Sequence, residues 1–409
     1  MTLTGTPATA GGAQWRVRIV PDSPDLVAEN NAASIAIDLV DRPLRVLYLD
    51  GYPRWEYRYL KNLFAREKSM HYGAMLLTAG RRFLAEGSES QVTLPATAEQ
   101  WNQYDVIVLG DLRPDVLTPE QHEQIKRRVL VGGAGLLWIG GEGATPSAWR
   151  GTALADLLPM TVGADGAPIR PWDQEVTVRP TPAAERLGVL RLLEQPSEGS
   201  WWPAAVSDPS SGWSRLRWAQ RVERASLKPA TEVLAEAEPI NSGAESRSAL
   251  VTTMRYGGGR IVYVATDEIW RWRYGRGEDL PERFWLQLVR LLGREAVGRA
   301  GKPAILTVTP ARSEVGAPVR VSVELLDQRL LDAAPATVSV RLGRIGDLPA
   351  AGAARPTGPD TPTPGDAVEL VLRPAGDAGA AEGRRVFSGT WVPSQTGLYR
   401  ATVSDALLS

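Results

Sequence analysis

Cysteine is absent from the 409-residue chain, and histidine occurs only twice. Without cysteine the chain can form no disulfide and no thiolate metal site, and it has no cysteine nucleophile. The absence of cysteine also leaves undetermined whether the protein works in an oxidising or a reducing compartment. We expect His122 to be solvated near the start of a surface helix, whereas His71 precedes a strand. A Ser-His-Asp triad or a histidine-based metal site is therefore disfavoured.

Net charge and long apolar runs are also lacking. Basic and acidic residues number 46 and 47, so no overall field attracts nucleic acid or an anionic membrane surface. No run of about 18 apolar residues occurs, and the first residues are small and polar. The sequence therefore predicts a soluble protein with no nucleic-acid partner and no direct membrane insertion.

Length and changes of hydrophobic period predict several domains. The apolar fraction of 43% is typical of globular chains, and 409 residues exceed one ordinary domain. Residues 1–42 are predicted to form a two-stranded ribbon, the remnant of a preceding β module. Residues 43–298 are predicted to form an α/β domain with an insertion at about residues 160–248. Residues 299–409 have the strand spacing of an immunoglobulin-like β-sandwich.

Short apolar runs that mostly end in Gly or Asp predict buried parallel strands: "RVLYLDG", "GAMLLTA", "DVIVLGD" and "GLLWIGG". Helical patterns separate several of them. Trp55 and Tyr59 begin an apolar stripe on one helix, with Glu56 off the stripe, and "TPEQ" at Thr118 predicts a capped start of another. This alternation favours right-handed βαβ units and a three-layer α/β domain.

Polar side chains follow the predicted parallel strands, at the edge where such sheets bind ligands. They are Asp50, Arg54, Glu56, Asp111, Glu142, Asp267, Glu268, Arg271 and Arg273. Two interpretations stay open: a pocket for a small polar ligand, or loops held together by pairs of arginine and carboxylate. Asp50, Asp111 and Glu142 could hold a hard cation, but residues scattered over three loops are weakly specific, and no metal is predicted.

The loop "IGGEGA" brings glycines to the end of a strand but matches neither a dinucleotide-binding loop nor a P-loop. A nucleophile elbow at the same place would need Ser, Cys or Thr, and none occurs before Thr145. The alternation "WRWRY" from Trp270 could stack sugars or bases, or could cover the end of the sheet. Tryptophans of the insertion, including Trp201 and Trp202, could likewise line a groove for a sugar or peptide.

Six segments together resemble a known family: "VLYLDGYPRWEYRYLKN", "YDVIVLGDLRPDVLTPEQ", "GGAGLLWIGGEGA", "WRGTALADLLP", "DEIWRWRYG" and "ERFWLQLVRLL". The chain resembles the class I glutamine amidotransferase-like domain of large bacterial membrane proteins, often planctomycete, that carry von Willebrand factor A and immunoglobulin-like modules. The resemblance implies a flavodoxin- or Rossmann-like sandwich with a mainly parallel sheet. It also implies the extracytoplasmic face of a bacterial membrane and protein partners in a cell-envelope assembly. The chain looks like the C-terminal part of such an architecture.

The resemblance also implies where catalysis should lie. Active relatives place a cysteine in the elbow after a central strand and a His-x-Glu pair after a later strand. Here the elbow positions read Gly140 to Gly143, and the later strand is followed by Asp267, Glu268 and Ile269. Both the cysteine and the histidine are missing, so a thioester route to ammonia is not expected, and the resemblance implies no cofactor.

These observations predict a non-catalytic binding or scaffold protein. One alternative is a carboxylate-dependent hydrolase or amidotransferase with Glu142 and Glu268 as acid and base. Another is a sugar-binding module that uses the tryptophans of the insertion. In the leading interpretation, Arg54 and Glu56 tie the corner "PRWEYRYLKN" to neighbouring loops, at Asp111 or Arg271.

Overall fold

The computed structural model describes residues 11–20, 31–89, 92–163, 169–241, 246–333, 335–346, 367–375 and 385–403. Backbone contacts divide the chain into two compact units. The larger unit, which we call the α/β unit, is Arg42–Gly298, and the other combines Met1–Asp41 with Arg299–Ser409. No helix among the described residues is both long and apolar enough to span a bilayer.

The strands, in chain order, are β1 (Gly11–Arg18), β2 (Ala32–Leu39), β3 (Leu44–Asp50), β4 (Met70–Leu77), β5 (Phe83–Gly87), β6 (Val106–Leu109), β7 (Gly135–Ile139), β8 (Val176–Pro180), β9 (Thr231–Pro239), β10 (Ser248–Tyr256), β11 (Gly259–Val264), β12 (Ala304–Thr309), β13 (Val319–Leu325), β14 (Val338–Gly346), β15 (Val368–Pro374), β16 (Arg385–Trp391) and β17 (Leu398–Val403). The α-helices are α1 (Trp55–Arg66), α2 (Ala98–Trp101), α3 (Pro119–Leu130), α4 (Pro182–Leu187), α5 (Ala204–Ser207), α6 (Arg273–Arg276), α7 (Asp279–Arg299) and α8 (Gln328–Ala333). Short 3₁₀ helices include Pro114–Val116, Ala153–Leu157 and Ile269–Trp272.

A mixed nine-stranded sheet organises the α/β unit, in the order β5-β4-β3-β6-β7-β11-β10-β9-β8. The pairs β4–β3, β3–β6, β6–β7 and β7–β11 are parallel. The other four neighbouring pairs are antiparallel. The prediction of a flavodoxin- or Rossmann-like three-layer sandwich with a mainly parallel sheet is therefore wrong.

Hairpins and the insertion explain the difference. Gly257, with φ of +57°, turns the chain from β10 directly back into β11, because glycine adopts this conformation without strain. The two runs on either side of this turn form a hairpin, which brings β10 in antiparallel to β11. Strands β8 and β9 of the insertion then extend the same sheet. Alternating strands and helices were visible in the sequence only up to β7, and beyond it the helices before α7 have at most six residues.

The predicted start of α3 is confirmed. Thr118 Oγ1 accepts the backbone N–H of Gln121 at 3.2 Å, and Gln121 Oε1 accepts the backbone N–H of Thr118 at 2.9 Å. Pro119 occupies the first turn, where its missing N–H costs nothing. These reciprocal bonds satisfy donors that the first turn of a helix otherwise leaves free.

The second unit is all antiparallel. Strands β1 and β2 form the predicted hairpin, with Gly11 opposite Leu39. The remaining strands form one sheet in the order β12-β13-β16-β15-β14-β17, and its end strands β12 and β17 approach each other. This sheet is a nearly closed barrel around a core that includes Val321, Leu372 and Phe387. The predicted immunoglobulin-like β-sandwich is thus wrong, because strand patterns identify strands but not their pairing.

Candidate functional site at the carboxyl edge of the sheet

The parallel strands β3, β6, β7 and β11 are consecutive in the sheet, so their carboxyl ends form one edge. Asp50 is the last residue of β3. Asp111, Glu142 and Asp267 each follow one of the other three strands by no more than three residues. The sheet therefore brings the loops that hold the predicted polar residues to one edge, as the sequence indicated.

Arg54 joins three of these strand ends. Its Nε donates to Asp50 Oδ2 at 2.9 Å, and its Nη1 donates to Asp267 Oδ2 at 3.2 Å and to the Gly140 carbonyl at 3.1 Å. The remaining Nη2 is buried and has no acceptor among the described residues. The side chain is only 5% exposed. Burial by itself would lower the pKa of this guanidinium, but Asp50 and the other nearby negative groups outweigh it and hold the pKa well above its usual range.

Asp50 is fully buried, and its carboxylate is saturated by donors. Oδ2 accepts the Tyr48 hydroxyl at 2.7 Å in addition to Arg54, while Oδ1 accepts the backbone N–H groups of Gly51 and Asp111 at 2.9 and 3.2 Å. A Cβ at Gly110 would overlap both Asp50 and Arg54, so this position needs glycine. These contacts leave no room at Asp50 for a ligand.

Asp111 fills the loop that follows β7. Its Oδ1 accepts the backbone N–H groups of Ala144 and Thr145, both at 2.7 Å, and its Oδ2 accepts that of Gly143 at 2.7 Å. The Tyr52 hydroxyl also donates to Oδ2, at 3.0 Å. Three successive N–H groups that converge on one anion form an anion-binding nest. In this protein the anion is a side chain of the chain itself.

The sequence placed Glu56 off the apolar stripe of α1, but in the structure its side chain is buried. Its Oε1 accepts the indole N–H of Trp285 at 2.8 Å, and its Oε2 accepts the backbone N–H of Trp270 at 3.2 Å. Burial raises the pKa of the Glu56 carboxyl to about 8, although both of these N–H donors oppose the shift. Glu56 thus ties α1 to α7 and to the helical turn at Trp270, and not to Asp111 or Arg271.

Glu268 holds a loop of the insertion. Its Oε2 accepts the backbone N–H groups of Arg217 and of Trp218, the latter at 2.9 Å. Arg271 Nη1 lies 3.7 Å from Glu268 Oε1, within ion-pair range but beyond a hydrogen bond. The neighbouring Asp267 is partly exposed, and burial raises the pKa of its carboxyl against the opposing effect of Arg54.

Glu142 differs from the other carboxylates of this edge because its side chain is exposed. No hydrogen bond or ion pair joins it to any residue that the structure describes. The nine predicted residues therefore separate into buried or partly buried ties and one exposed carboxylate without a partner among the described residues, with Arg271 and Arg273 only partly exposed. No group of three or more His, Asp or Glu residues within the described ranges could hold a metal ion.

An exposed group of aromatic rings lies where α1 meets the helical turn Ile269–Trp272. Trp55 is 51% exposed and Tyr274 is 68% exposed. The ring centroids of Trp55, Tyr59 and Trp270 lie 5.8 to 6.1 Å apart with interplanar angles of at most 36°, and Trp270 meets Tyr274 edge to face at 5.9 Å. The guanidinium carbons of three arginines lie over these rings: Arg58 at 5.6 Å from Trp55, Arg271 at 5.4 Å from Trp270 and Arg273 at 3.9 Å from Tyr59.

We call these seven residues the aromatic–arginine surface. The sequence predicted that Trp55 would be buried, and the structure corrects this. The buried face of α1 is formed by Tyr57, Leu60, Leu63 and Phe64 together with Glu56. Because the Trp285 indole and the Trp270 backbone N–H satisfy Glu56, the helix turns that carboxyl inward and Trp55 outward.

The tryptophans of the insertion lie differently. Trp202 is buried, donates its indole N–H to Ser207 Oγ at 2.9 Å and meets Trp272 edge to face at 5.8 Å. Trp213 packs so closely on Gly275 that a Cβ there would overlap the indole ring. These rings serve packing within the α/β unit.

His122 is buried, not solvated as predicted. Its Nε2 lies 3.2 Å from the Pro114 carbonyl, and its ring lies 5.4 Å from Trp149. The short helix Pro114–Val116 folds back over the start of α3, which a helical pattern by itself does not reveal. His122 contributes to a cleft of about 780 Å³ whose other walls are Pro114–Glu120, Glu123 and Gly151–Ala153, and none of the nine predicted residues lines this cleft.

Comparisons with known proteins give no family. No family model matches the chain, and no curated protein matches it. A cytoplasmic protein of Salmonella typhimurium LT2 shares 18% identity at a TM-score of 0.42, over 61% of this chain and 99% of that one. An exo-β-1,4-mannosidase of Opitutaceae bacterium strain TAV5 shares 15% identity at a TM-score of 0.30, over 60% of this chain and 35% of the mannosidase. Likeness at this level identifies neither a fold family nor an activity.

Sequence reasoning missed two features of this edge. The first is that the Asp111 carboxylate binds the backbone N–H groups of the loop at Gly143. The sequence indicates this only weakly: Gly-rich turns that follow strands commonly bind anions, and an aspartate follows the adjacent strand. The aromatic–arginine surface had a composition signal in "PRWEYRY" and "WRWRY". Neither segment reveals that the two lie side by side, because their contact joins residues about 200 positions apart.

Proposed function

We propose that this protein is a non-catalytic binding or scaffold protein. In this proposal the α/β unit resembles a class I glutamine amidotransferase-like domain that lacks the Cys-His pair. The same resemblance carries the proposal that the protein works at the extracytoplasmic face of a bacterial membrane. Its partners would be proteins of a cell-envelope assembly.

The observation that carries the proposal is the internal use of the loop after β7. In acyl-transfer enzymes, backbone N–H groups beside the nucleophile must point at the developing oxyanion. Here the N–H groups of Gly143, Ala144 and Thr145 already bind the carboxylate of Asp111. A substrate oxygen would have to displace a charge that is held by three short hydrogen bonds.

The other groups of the edge support the same proposal. Asp50 and Asp267 both bind Arg54, and Glu268 binds two backbone N–H groups of the insertion. A general base needs a free acceptor within reach of the proton that it removes. Among the predicted carboxylates of the edge, only Glu142 is exposed and has no partner among the described residues.

A turnover assay tests the proposal. We expect the purified protein to release no ammonia from glutamine above the buffer control, and to hydrolyse none of a panel of amide, ester and glycoside substrates. Glu142→Gln and Glu268→Gln variants serve as matched controls. Saturable turnover that either variant abolishes would instead establish the carboxylate-dependent hydrolase or amidotransferase.

A further inference from the structure

The aromatic–arginine surface is exposed but built on a rigid base. Beneath it, the Glu56 carboxyl accepts the Trp270 backbone N–H at 3.2 Å and the Trp285 indole N–H at 2.8 Å. The two segments of the surface, on α1 and at Ile269–Trp272, are therefore fixed to each other. A site whose supporting residues are held in this way loses little conformational entropy when a partner binds.

One arginine of this surface, Arg58, is exposed and has N–H donors available for a partner. The Arg58 guanidinium lies over Trp55 and forms no ion pair with any carboxylate in the described part of the chain. Arg271 is only 15% exposed and lies within ion-pair range of Glu268, at 3.7 Å. Arg273 donates to Glu278 at 2.9 Å. The surface thus has more positive charge than its own carboxylates neutralise.

We propose that the aromatic–arginine surface binds an acidic segment of a protein partner. This inference rests on the proposed binding function and names the class of partner. Trp, Tyr and Arg are the residues that dominate the binding energy of protein interfaces. Arginine stacked on an aromatic ring keeps its in-plane N–H groups available, and their fork matches a carboxylate.

The positions of the arginines favour an acidic peptide over a neutral sugar. A sugar stacks its C–H face on a free aromatic face, but guanidinium groups already lie over one face each of Trp55, Tyr59 and Trp270. A carboxylate can bind the same guanidinium groups without displacing them. Apolar side chains of the partner would contact Trp55 and Tyr274, the two most exposed rings.

The test measures binding of a fluorescein-labelled decapeptide of alternating glutamate and phenylalanine to the full chain by fluorescence anisotropy. A glutamine–phenylalanine decapeptide isolates the contribution of charge. We expect the glutamate peptide to bind, the glutamine peptide to bind at least about tenfold more weakly, and added salt to weaken the binding of the glutamate peptide.

Substitutions locate the site. Arg58→Ala and Trp55→Ala should each weaken binding by about tenfold or more, because both side chains are exposed and Trp55 contacts Arg58, Tyr59 and Trp270. Arg150→Ala is the matched control, since Arg150 is an exposed arginine of the α/β unit outside the surface, and it should bind the peptide like the wild type. Unchanged melting temperatures of all three variants would exclude loss of folding as the cause.

Several results would overturn the proposal: no binding of the glutamate peptide, equal binding by the Arg58→Ala variant, or binding of oligogalacturonate or cellohexaose in its place. Self-association that Trp55→Ala abolishes, detected by sedimentation velocity, would assign the surface to a second copy of this chain. None of these results bears on catalysis. Turnover of glutamine would defeat the proposed function without changing peptide binding.

Discussion

Asp111 and Thr145 bind each other's loops: Asp111 Oδ1 accepts the Thr145 backbone N–H at 2.7 Å. The Thr145 hydroxyl in turn donates to the carbonyl of Gly110, beside Asp111, at 2.8 Å. The loops after β6 and β7 are thereby joined at the carboxyl edge of the sheet. Stability experiments can measure how much this closure contributes.

Replacing Asp111 by alanine should strongly destabilise the α/β unit. The change leaves the N–H groups of Gly143, Ala144 and Thr145 without this acceptor. Ala144 and Thr145 are buried, and each buried donor left unsatisfied costs about 1 to 3 kcal/mol. We expect the free energy of unfolding to fall by about 3 to 6 kcal/mol. Urea unfolding followed by tryptophan fluorescence measures it, because all but two of the 14 Trp lie within Arg42–Gly298.

The control for this change is Glu142→Gln, in the loop after β7 that Asp111 binds. Glu142 is exposed and has no partner among the described residues, so its variant should unfold like the wild type. If Asp111→Ala were as stable as this control, the proposed closure of the loop by Asp111 would be wrong.

Replacing Arg54 by alanine should cost about 3 to 5 kcal/mol, because removing one partner of a buried ion pair leaves the other charge uncompensated. Asp50 is fully buried and loses its charged partner, while Asp267 is left with no cation. Arg58→Ala, one turn further along α1 and exposed, should change the unfolding midpoint little. A fully stable Arg54→Ala protein would contradict the assignment of this residue as a structural tie.

The Glu56 carboxyl should make stability depend on pH. Its pKa is about 8 in the folded protein, above the value of about 4.5 expected when unfolded. Between these values the folded state keeps a proton that the unfolded state has released. The free energy of unfolding therefore falls as pH rises from about 5 to about 8, by at most about 1.4 kcal/mol per pH unit from this group.

Comparison with Glu56→Gln isolates this contribution, because glutamine keeps the shape of the side chain but does not titrate. We expect the variant to lose less stability than the wild type when chemical unfolding is repeated at pH 5.5, 7 and 8.5. A stability difference between the two proteins that stays constant over this range would show that Glu56 does not titrate there.

Gly141→Ala tests the close approach of the two loops from the backbone side. A Cβ at this position would overlap the Asp111 carboxylate, which three N–H groups hold in place. Overpacking of this kind costs about 1 to 3 kcal/mol. Gly298→Ala is the matched control, since nothing lies within 4 Å of a Cβ there and alanine favours the helix. Equal melting temperatures for the two variants would argue against a rigid Asp111.

Local patterns in the sequence identified many elements correctly. The capping box at Thr118, the glycine turn at Gly257 and the hairpin of β1 and β2 all depend on residues close in sequence, and all three are present. The short apolar runs placed β3, β6 and β7, and hence the polar residues at their ends, on one edge. These features follow from backbone propensity and local hydrogen bonding, which the sequence specifies directly.

Tertiary structure decided which strands pair and which side chains face inward. Strands β8, β9 and β10 pair antiparallel with their neighbours, which makes the first sheet mixed. Strands β12 and β17 approach each other, which makes the second sheet a nearly closed barrel. Glu56 is buried because Trp285, more than 200 residues away, supplies an N–H donor, and Trp55 is exposed as a result. A local pattern cannot encode such pairings, since the free energy of burying a polar group depends on partners that only the folded chain brings near.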